Sequence, residues 1–198
     1  MGIEQLIDAA LSESLLRLLE TAPITKITVQ DIADGAGLNK RTFYNHFKDK
    51  NDLVAFIWTQ AFEAAWHDGE RRCTLEEYFT KMNEWSKDHP TFFTNTLGYY
   101  SGQNNLWETI CQTSKDSILR CIEWNGYSDK ITPEVEETVD FYVHGCLFRG
   151  IVSQDEIARM QSLALTESFS PERMIALIPE SIRQLVLKPA GHDGKHTS

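Results

Sequence analysis

Hydrophobic residues recur every three or four positions along most of this chain, which is the period of an α-helix, and strand-like alternation is hard to find. The pattern predicts a first helix over about Ile3–Glu20, with an apolar stripe. Proline, glycine and short polar residues divide the rest into helices over about Asp52–Gly69, Leu75–Lys87, Pro90–Leu97, Leu106–Trp124, Pro133–Val152, Pro171–Ile178 and Glu180–Leu187. The sequence therefore predicts an all-α protein.

Two short helices joined by a glycine turn are predicted between the first helix and the second long one. Thr28 can cap a helix that ends near Ala36, because its hydroxyl can accept from the unpaired N–H groups of the first turn. Gly37 can supply the left-handed conformation of the turn. Asn39 can then cap the next helix, Lys40 to about Phe47. With the first helix packed over them, these segments form a three-helix head that contains a helix-turn-helix.

The second helix of this pair has an apolar side and a polar side. Phe43 and Phe47 lie four residues apart and should pack inward. The opposite side then presents cations, an amide and a phenol, from Lys40, Arg41, Tyr44, Asn45 and Lys48. These groups are the ones that bind DNA. Gly35, inside the first helix of the pair, costs about 1 kcal/mol relative to alanine, and the pattern offers no reason for it.

A longer motif covers the same segment. The run Thr-Val-x-Asp-Ile-Ala-x-x-Ala-Gly-Leu-Asn-x-x-Thr-Phe-Tyr-x-His-Phe-x-Asp-Lys-x-Asp-Leu, from Thr28 to Leu53, resembles the amino-terminal signature of the TetR family of bacterial transcriptional regulators. The resemblance implies a DNA-binding head over residues 1–50 and a helical effector-binding and dimerisation body over residues 51–188. It also implies a repressor that leaves a palindromic operator when a small molecule binds the body. Residues 189–198 are polar and predicted to be a disordered tail.

The DNA contacts expected of such a head fall into two groups. Base edges are the expected targets of the amino-terminal part of the second helix and its amide, from Lys40, Arg41, Thr42 and Asn45. Phosphates are the expected targets of the remaining hydroxyl, imidazole and ammonium groups, from Thr28, Tyr44, His46, Lys48 and Lys50. A homodimer would present two such heads to inverted half-sites of double-stranded DNA.

The net charge of −10 argues against nucleic acid until its distribution is considered. Residues 24–50 hold five basic and three acidic residues, whereas residues 51–198 hold 13 basic and 22 acidic residues. The acidity therefore belongs to the body, and a weak cationic footprint remains at the head. A footprint this weak favours binding by two copies together.

Aromatic residues are concentrated in the predicted body, where 13 of the 21 lie between Tyr78 and Phe148. Such a concentration can line a pocket for an apolar or aromatic ligand, and it can equally form an ordinary core. We take as candidate ligand contacts Phe79, Trp85, Phe93, Tyr100, Trp107 and Tyr142. The resemblance also implies that the last long helices form a four-helix bundle with a second subunit, and intrachain packing is the alternative for their apolar residues.

The sequence also bears on three other functions, namely an enzyme, a metal or redox sensor and an interaction module. No phosphate loop or HExxH motif occurs, and GYYSG at residues 98–102 does not place Ser101 as a nucleophile elbow requires, so no enzyme and no cofactor are predicted. A metal or redox sensor built on Cys111, Cys121, His144 and Cys146 stays open as an alternative sensing step. An interaction module that has lost DNA binding is another alternative.

The sequence shows neither a membrane-spanning segment nor an export signal, and this indicates where the protein is located. No apolar run is long enough to span a bilayer, and the first ten residues lack a cationic leader with an apolar core. We therefore expect a cytoplasmic protein with no membrane partner and with reduced thiols.

Overall fold

The computed structural model describes residues 2–69, 71–96, 106–151 and 170–187. Its helices are α1 (Ile3–Leu19), α2 (Val29–Gly35), α3 (Lys40–His46), α4 (Lys50–Ala65), α5 (Leu75–Asp88), α6 (Pro90–Thr96), α7 (Leu106–Trp124), α8 (Pro133–Ile151), α9 (Pro171–Ala176) and α10 (Glu180–Val186). Short 3-10 turns lie at Ile24–Lys26 and Ser128–Lys130. The prediction of an all-α protein is confirmed, with helix ends within a few residues of those expected. The predicted tail lies outside the described residues.

A small β-hairpin departs from the predicted pattern. Strands β1 (His67–Asp68) and β2 (Arg71–Arg72) pair antiparallel, and Gly69 between them has a φ of 62°. The helix predicted to continue to Gly69 therefore ends at Ala65. Strands of two residues are too short to leave an alternating pattern in the sequence, so the hairpin could not be predicted from it.

The predicted caps of the helix-turn-helix are present. The Thr28 hydroxyl accepts from the Asp31 N–H at 3.1 Å, and the Asp31 carboxylate accepts from the Thr28 N–H at 2.9 Å. The Asn39 side chain accepts from the Thr42 N–H at 2.9 Å and so begins α3. Between the two helices Gly37 has a φ of 69°, the left-handed conformation expected there.

The close approach of α1 and α2 explains Gly35. Ser14 of α1 is buried, and its Oγ donates to the Ile32 carbonyl at 2.8 Å. A Cβ atom added at Gly35 would overlap with that same Oγ. Arg17 of α1 also donates to the Gly35 carbonyl at 3.0 Å. A side chain here would displace the Ser14 hydroxyl from its bond to Ile32, so the packing favours glycine despite its low helix propensity.

Helix α4 is shared by the head and the body. On the head side Phe56 packs on Phe47 with ring centroids 5.2 Å apart. Further along the helix, Trp58 stacks parallel to Phe92 at 6.3 Å, and Phe62 meets Tyr78 edge to face at 5.8 Å. The hydrophobic core therefore runs without a break from the three-helix head into the body.

The body forms around α7, which packs between α4 and α8. Arg120 of α7 pairs with Glu63 of α4 at 2.7 Å. Asn125, just after α7, donates to the Leu185 and Val186 carbonyls at 2.9 and 3.1 Å, which holds α10 against the bundle. Most of the described apolar residues of the last helices are buried within the chain itself, which agrees with intrachain packing. They are Val139, Tyr142, Met174, Ile178, Ile182 and Val186.

The packing of α1 on α2 makes a prediction about stability. Gly35→Ala should lower the free energy of unfolding by about 1 to 3 kcal/mol, because the new methyl group overpacks against Ser14. Ser14→Ala alone should cost about 1 kcal/mol through the lost hydrogen bond to Ile32. Urea unfolding of both single variants and the double variant measures the coupling. The double variant should cost less than the two single costs combined, and additive costs would contradict the explanation.

Candidate nucleic-acid interface

Helix α3 has the two faces that the sequence predicted. Phe43 is fully buried and Phe47, just past the last residue of α3, is nearly so. On the opposite side the predicted polar residues are exposed, namely Lys40, Arg41, Tyr44, Asn45 and Lys48. The buried pair fixes the rotation of α3, and this polar set, which we call the α3 face, is left open to a partner.

Arg41 and Asn45 are the members of the α3 face best suited to base edges. Neither side chain makes a hydrogen bond or ion pair with another residue in the described part of the chain. Arginine can bridge the two acceptors of guanine, and asparagine can pair with adenine. Thr42 differs, because its hydroxyl is half-buried and donates to the Asn39 side chain at 3.2 Å. Lys40 lies over Tyr44, with Nζ 5.9 Å from the ring centroid, and Tyr44 is 52% exposed.

Thr28 lies at the edge of this interface with its hydroxyl already engaged. Besides capping α2, that hydroxyl donates to the Asp31 carboxylate at 2.6 Å. Hydrogen bonds from the hydroxyl and the N–H of Thr28 hold the pKa of Asp31 below its ordinary value. Asp31 is therefore ionised at neutral pH, and its negative charge reduces the positive potential at the amino-terminal end of α2.

The structure places two of the predicted phosphate contacts in internal bonds. His46 Nδ1 lies 2.7 Å from Asp8 Oδ1 of α1, with side chains that are 15% and 24% exposed. Lys50 Nζ donates to the carbonyls of Ile24 and Ile27 at 2.6 and 2.7 Å. A phosphate contact by either residue would require the loss of a bond inside the protein.

Lys50 is a structural tie between body and head. It occupies the first position of α4, and the carbonyls that it binds precede α2. Partial burial lowers the pKa of its ammonium group. A second tie comes from α6, where Asn95 donates to the Leu19 carbonyl at the end of α1, at 2.7 Å. The sequence did not show these ties, because their acceptors are backbone atoms distant in the chain.

Residues 6–57 match the model of a family described as bacterial regulatory proteins, tetR family. This segment, about a quarter of the chain, is a tetR-family domain. It contains most of the three-helix head and the first half of α4. The structure also resembles a crystal structure of a proposed tetR family transcription regulator from Shewanella sp. PV-4, with 17% sequence identity, a TM-score of 0.47, and coverage of 85% of this chain and 95% of that chain. A comparison with curated proteins finds no match.

The body contains a small cavity of about 70 Å³ between α4, α5, α7, α8 and α9. Of the predicted ligand contacts, Phe79 and Tyr142 line it. Trp85 instead lines an open groove between α1, α4 and α5, and Trp107 lies against His144, with ring centroids 6.2 Å apart. The side chain of Phe93 and all of Tyr100 lie outside the described residues.

The residues proposed for a metal or redox sensor do not form one site. Cys121 donates from Sγ to the Val186 carbonyl at 3.5 Å. His144 Nδ1 lies 2.9 Å from the Asp140 carbonyl. Cys111 is buried, and burial, with a smaller contribution from Asp140, raises the pKa of its thiol to about 12. Among the described residues no three histidine, cysteine or acidic side chains are grouped to hold a metal ion. None of the described helices is both long and apolar enough to cross a membrane.

The tie made by Lys50 can be tested by a substitution that keeps its length. Lys50→Met should lower the free energy of unfolding by about 1 to 3 kcal/mol, because the carbonyls of Ile24 and Ile27 lose their bonds to the ammonium group. Lys48→Met is the matched control, since Lys48 is exposed two residues earlier, and its effect should stay within about 0.5 kcal/mol. Urea unfolding measures both, and equal effects would show that the Lys50 bonds do not stabilise the head.

Proposed function

We propose that this protein is a sequence-specific repressor that acts in the bacterial cytoplasm as a homodimer on a palindromic operator. In this proposal a small molecule that binds the body releases the dimer from DNA, and the protein is not an enzyme. The observation that carries the proposal is the α3 face, where the Arg41 guanidinium is exposed within a domain of the tetR family. The remaining steps are supported by an exposed apolar surface and by the cavity.

The contacts to DNA are proposed residue by residue. Arg41 and Asn45 read base edges from α3, assisted by Lys40 and Thr42. Tyr44 and Lys48, which are exposed, bind phosphate oxygens, and so does the amino-terminal end of α2, near Thr28. His46 and Lys50 support this surface from inside, through Asp8 and through the carbonyls before α2.

The dimer is supported by an apolar surface that nothing in the described structure covers. Phe141 on α8 is 79% exposed, and Leu177 at the end of α9 is 45% exposed. Gly145, one turn from Phe141, is exposed and has no atom within 4 Å of an added Cβ. Phe141 and Gly145 therefore offer a ring beside an open space, which a second copy can fill in a twofold contact. A dimer would hold two heads at half-sites spaced by about one helical turn of DNA.

The link between ligand and DNA is proposed to run through α4. Trp58 and Phe62 of α4 line the cavity. The same helix begins at Lys50, which binds the carbonyls before α2. A molecule that enlarges the cavity displaces α4 and with it the head. Since such coupling is reciprocal, operator binding lowers the affinity for the ligand by the same factor.

Two alanine substitutions separate base reading from phosphate binding. Arg41→Ala should weaken binding to the selected operator by about 1 to 3 kcal/mol and relax the base preference at one position. Lys48→Ala should weaken binding to all duplexes alike and reduce the salt dependence by about one phosphate contact. Selection of each variant on random duplex DNA, followed by salt titration, measures both effects. Unchanged base preference in Arg41→Ala would exclude the proposed contact.

The proposed dimer surface can be tested with two equally exposed residues. Phe141→Glu should convert the dimer to a monomer, because two buried carboxylates would face each other across the twofold axis. Ile3→Glu is the control, since Ile3 is 78% exposed and lies on α1 in the head. Analytical ultracentrifugation measures the oligomeric state. A dimer that survives Phe141→Glu would place the interface elsewhere.

A further inference from the structure

We infer that the body cavity selects an uncharged molecule with a single ring and a hydrogen-bond donor, of the phenol type. This inference rests on the proposed function, because it names the chemical class of the molecule that the body senses.

The lining excludes ionised ligands. No charged side chain lines the cavity within the part of the chain that the structure describes. Its surface is largely aromatic and aliphatic, with Trp58, Phe62, Phe79 and Ile118 among its members. A carboxylate or ammonium group that entered would lose its hydration without gaining a counterion, which costs several kcal/mol. The molecule that fits is therefore neutral.

The hydroxyl groups in the lining are already used as donors. Ser86 donates to the Met82 carbonyl, Ser114 to the Ile110 carbonyl and Tyr142 to the Met174 carbonyl, each at 2.8 Å. A hydroxyl has one proton and two lone pairs, so each of these groups can still accept but has no proton left to give. A ligand O–H or N–H would therefore find an acceptor at each of these three groups.

Four further side chains of the lining carry polar atoms, namely Trp58, Tyr78, Asn83 and Cys146. Tyr78 is fully buried, and burial raises the pKa of its hydroxyl, so it stays neutral. Asn83 is an amide, which both donates and accepts, so it can serve either kind of ligand. The acceptors that Ser86, Ser114 and Tyr142 offer therefore remain open to a ligand donor.

The volume of the cavity limits the ligand to one ring. About 70 Å³ is roughly half the 150 Å³ of an engineered protein cavity that holds benzene. Met82 and Met174 line this cavity, and their unbranched thioether chains can change rotamer to admit a ring. A drug-sized molecule needs at least about 300 Å³, which would require the surrounding helices to separate.

The experiment compares four one-ring molecules on the full chain by calorimetry and thermal shift. Phenol and toluene have nearly the same shape and differ in the hydroxyl, whereas benzoate and benzylammonium carry a charge. We expect phenol to bind and to raise Tm, toluene to bind more weakly than phenol, and the two ions to do neither. Binding of benzoate or benzylammonium as tight as that of phenol would overturn the inference, and so would the failure of phenol to bind.

Serine variants test the donor preference directly. In Ser86→Ala or Ser114→Ala, or in both, phenol affinity should fall about 5-fold while toluene affinity stays the same, which corresponds to one lost hydrogen bond of about 1 kcal/mol. Alanine favours the helix at these positions, so the variants should fold. Thr80→Ala is the matched control, because Thr80 on α5 makes the same kind of bond, to the Glu76 carbonyl, but is exposed. Equal loss of phenol and toluene, or no loss of either, would contradict the inference.

The same samples separate this inference from the proposed function. If the chain binds duplex DNA with sequence preference but shows no selectivity for phenol, the inference about the cavity is wrong and the regulator stands. If phenol binds as expected but no duplex is bound, the cavity chemistry is confirmed and the proposed repressor is wrong.

Discussion

The structure depends on one helix, α4, that carries the hydrophobic core from the head into the body. The amino-terminal half of α4 completes the head, where Phe56 packs on Phe47, and the other half belongs to the body, where Trp58 and Phe62 pack on aromatic rings. Because interiors are close-packed, α4 cannot shift on one side without changing contacts on the other. The helix that lines the cavity is thus the helix that supports the DNA-binding head.

The exposed side of α3 is also determined by packing. Burial of Phe43 and Phe47 sets the rotation of α3, and the α3 face is what remains outside. Polar bonds then hold the head to its surroundings, through Lys50 at the start of α4 and Asn95 of α6. These bonds are made to the carbonyls of Ile24, Ile27 and Leu19, which lie near the ends of head segments.

Local patterns were sufficient for most of the fold and for the outline of the DNA-binding site. Helix caps at Thr28 and Asn39 act over three residues, and the pair Phe43 and Phe47 acts over four, so the sequence contains the whole interaction. The sequence was a weaker guide to the residues that line the cavity. Aromatic content indicated the body, but whether a ring such as Trp85 lines a cavity or a groove depends on which helices surround it.

By itself, the sequence determined the helices, their caps, the glycine turn and the inward and outward sides of α3, because these depend on neighbours within one or two turns. Only the tertiary structure determined that position 35 favours glycine, which atoms bind the side chains of His46 and Lys50, and which side chains line the cavity. Asp8 lies 38 residues from His46, and the carbonyls bound by Lys50 lie 26 and 23 residues away. Such contacts leave no periodic signal in the chain, since they exist only after the helices have packed.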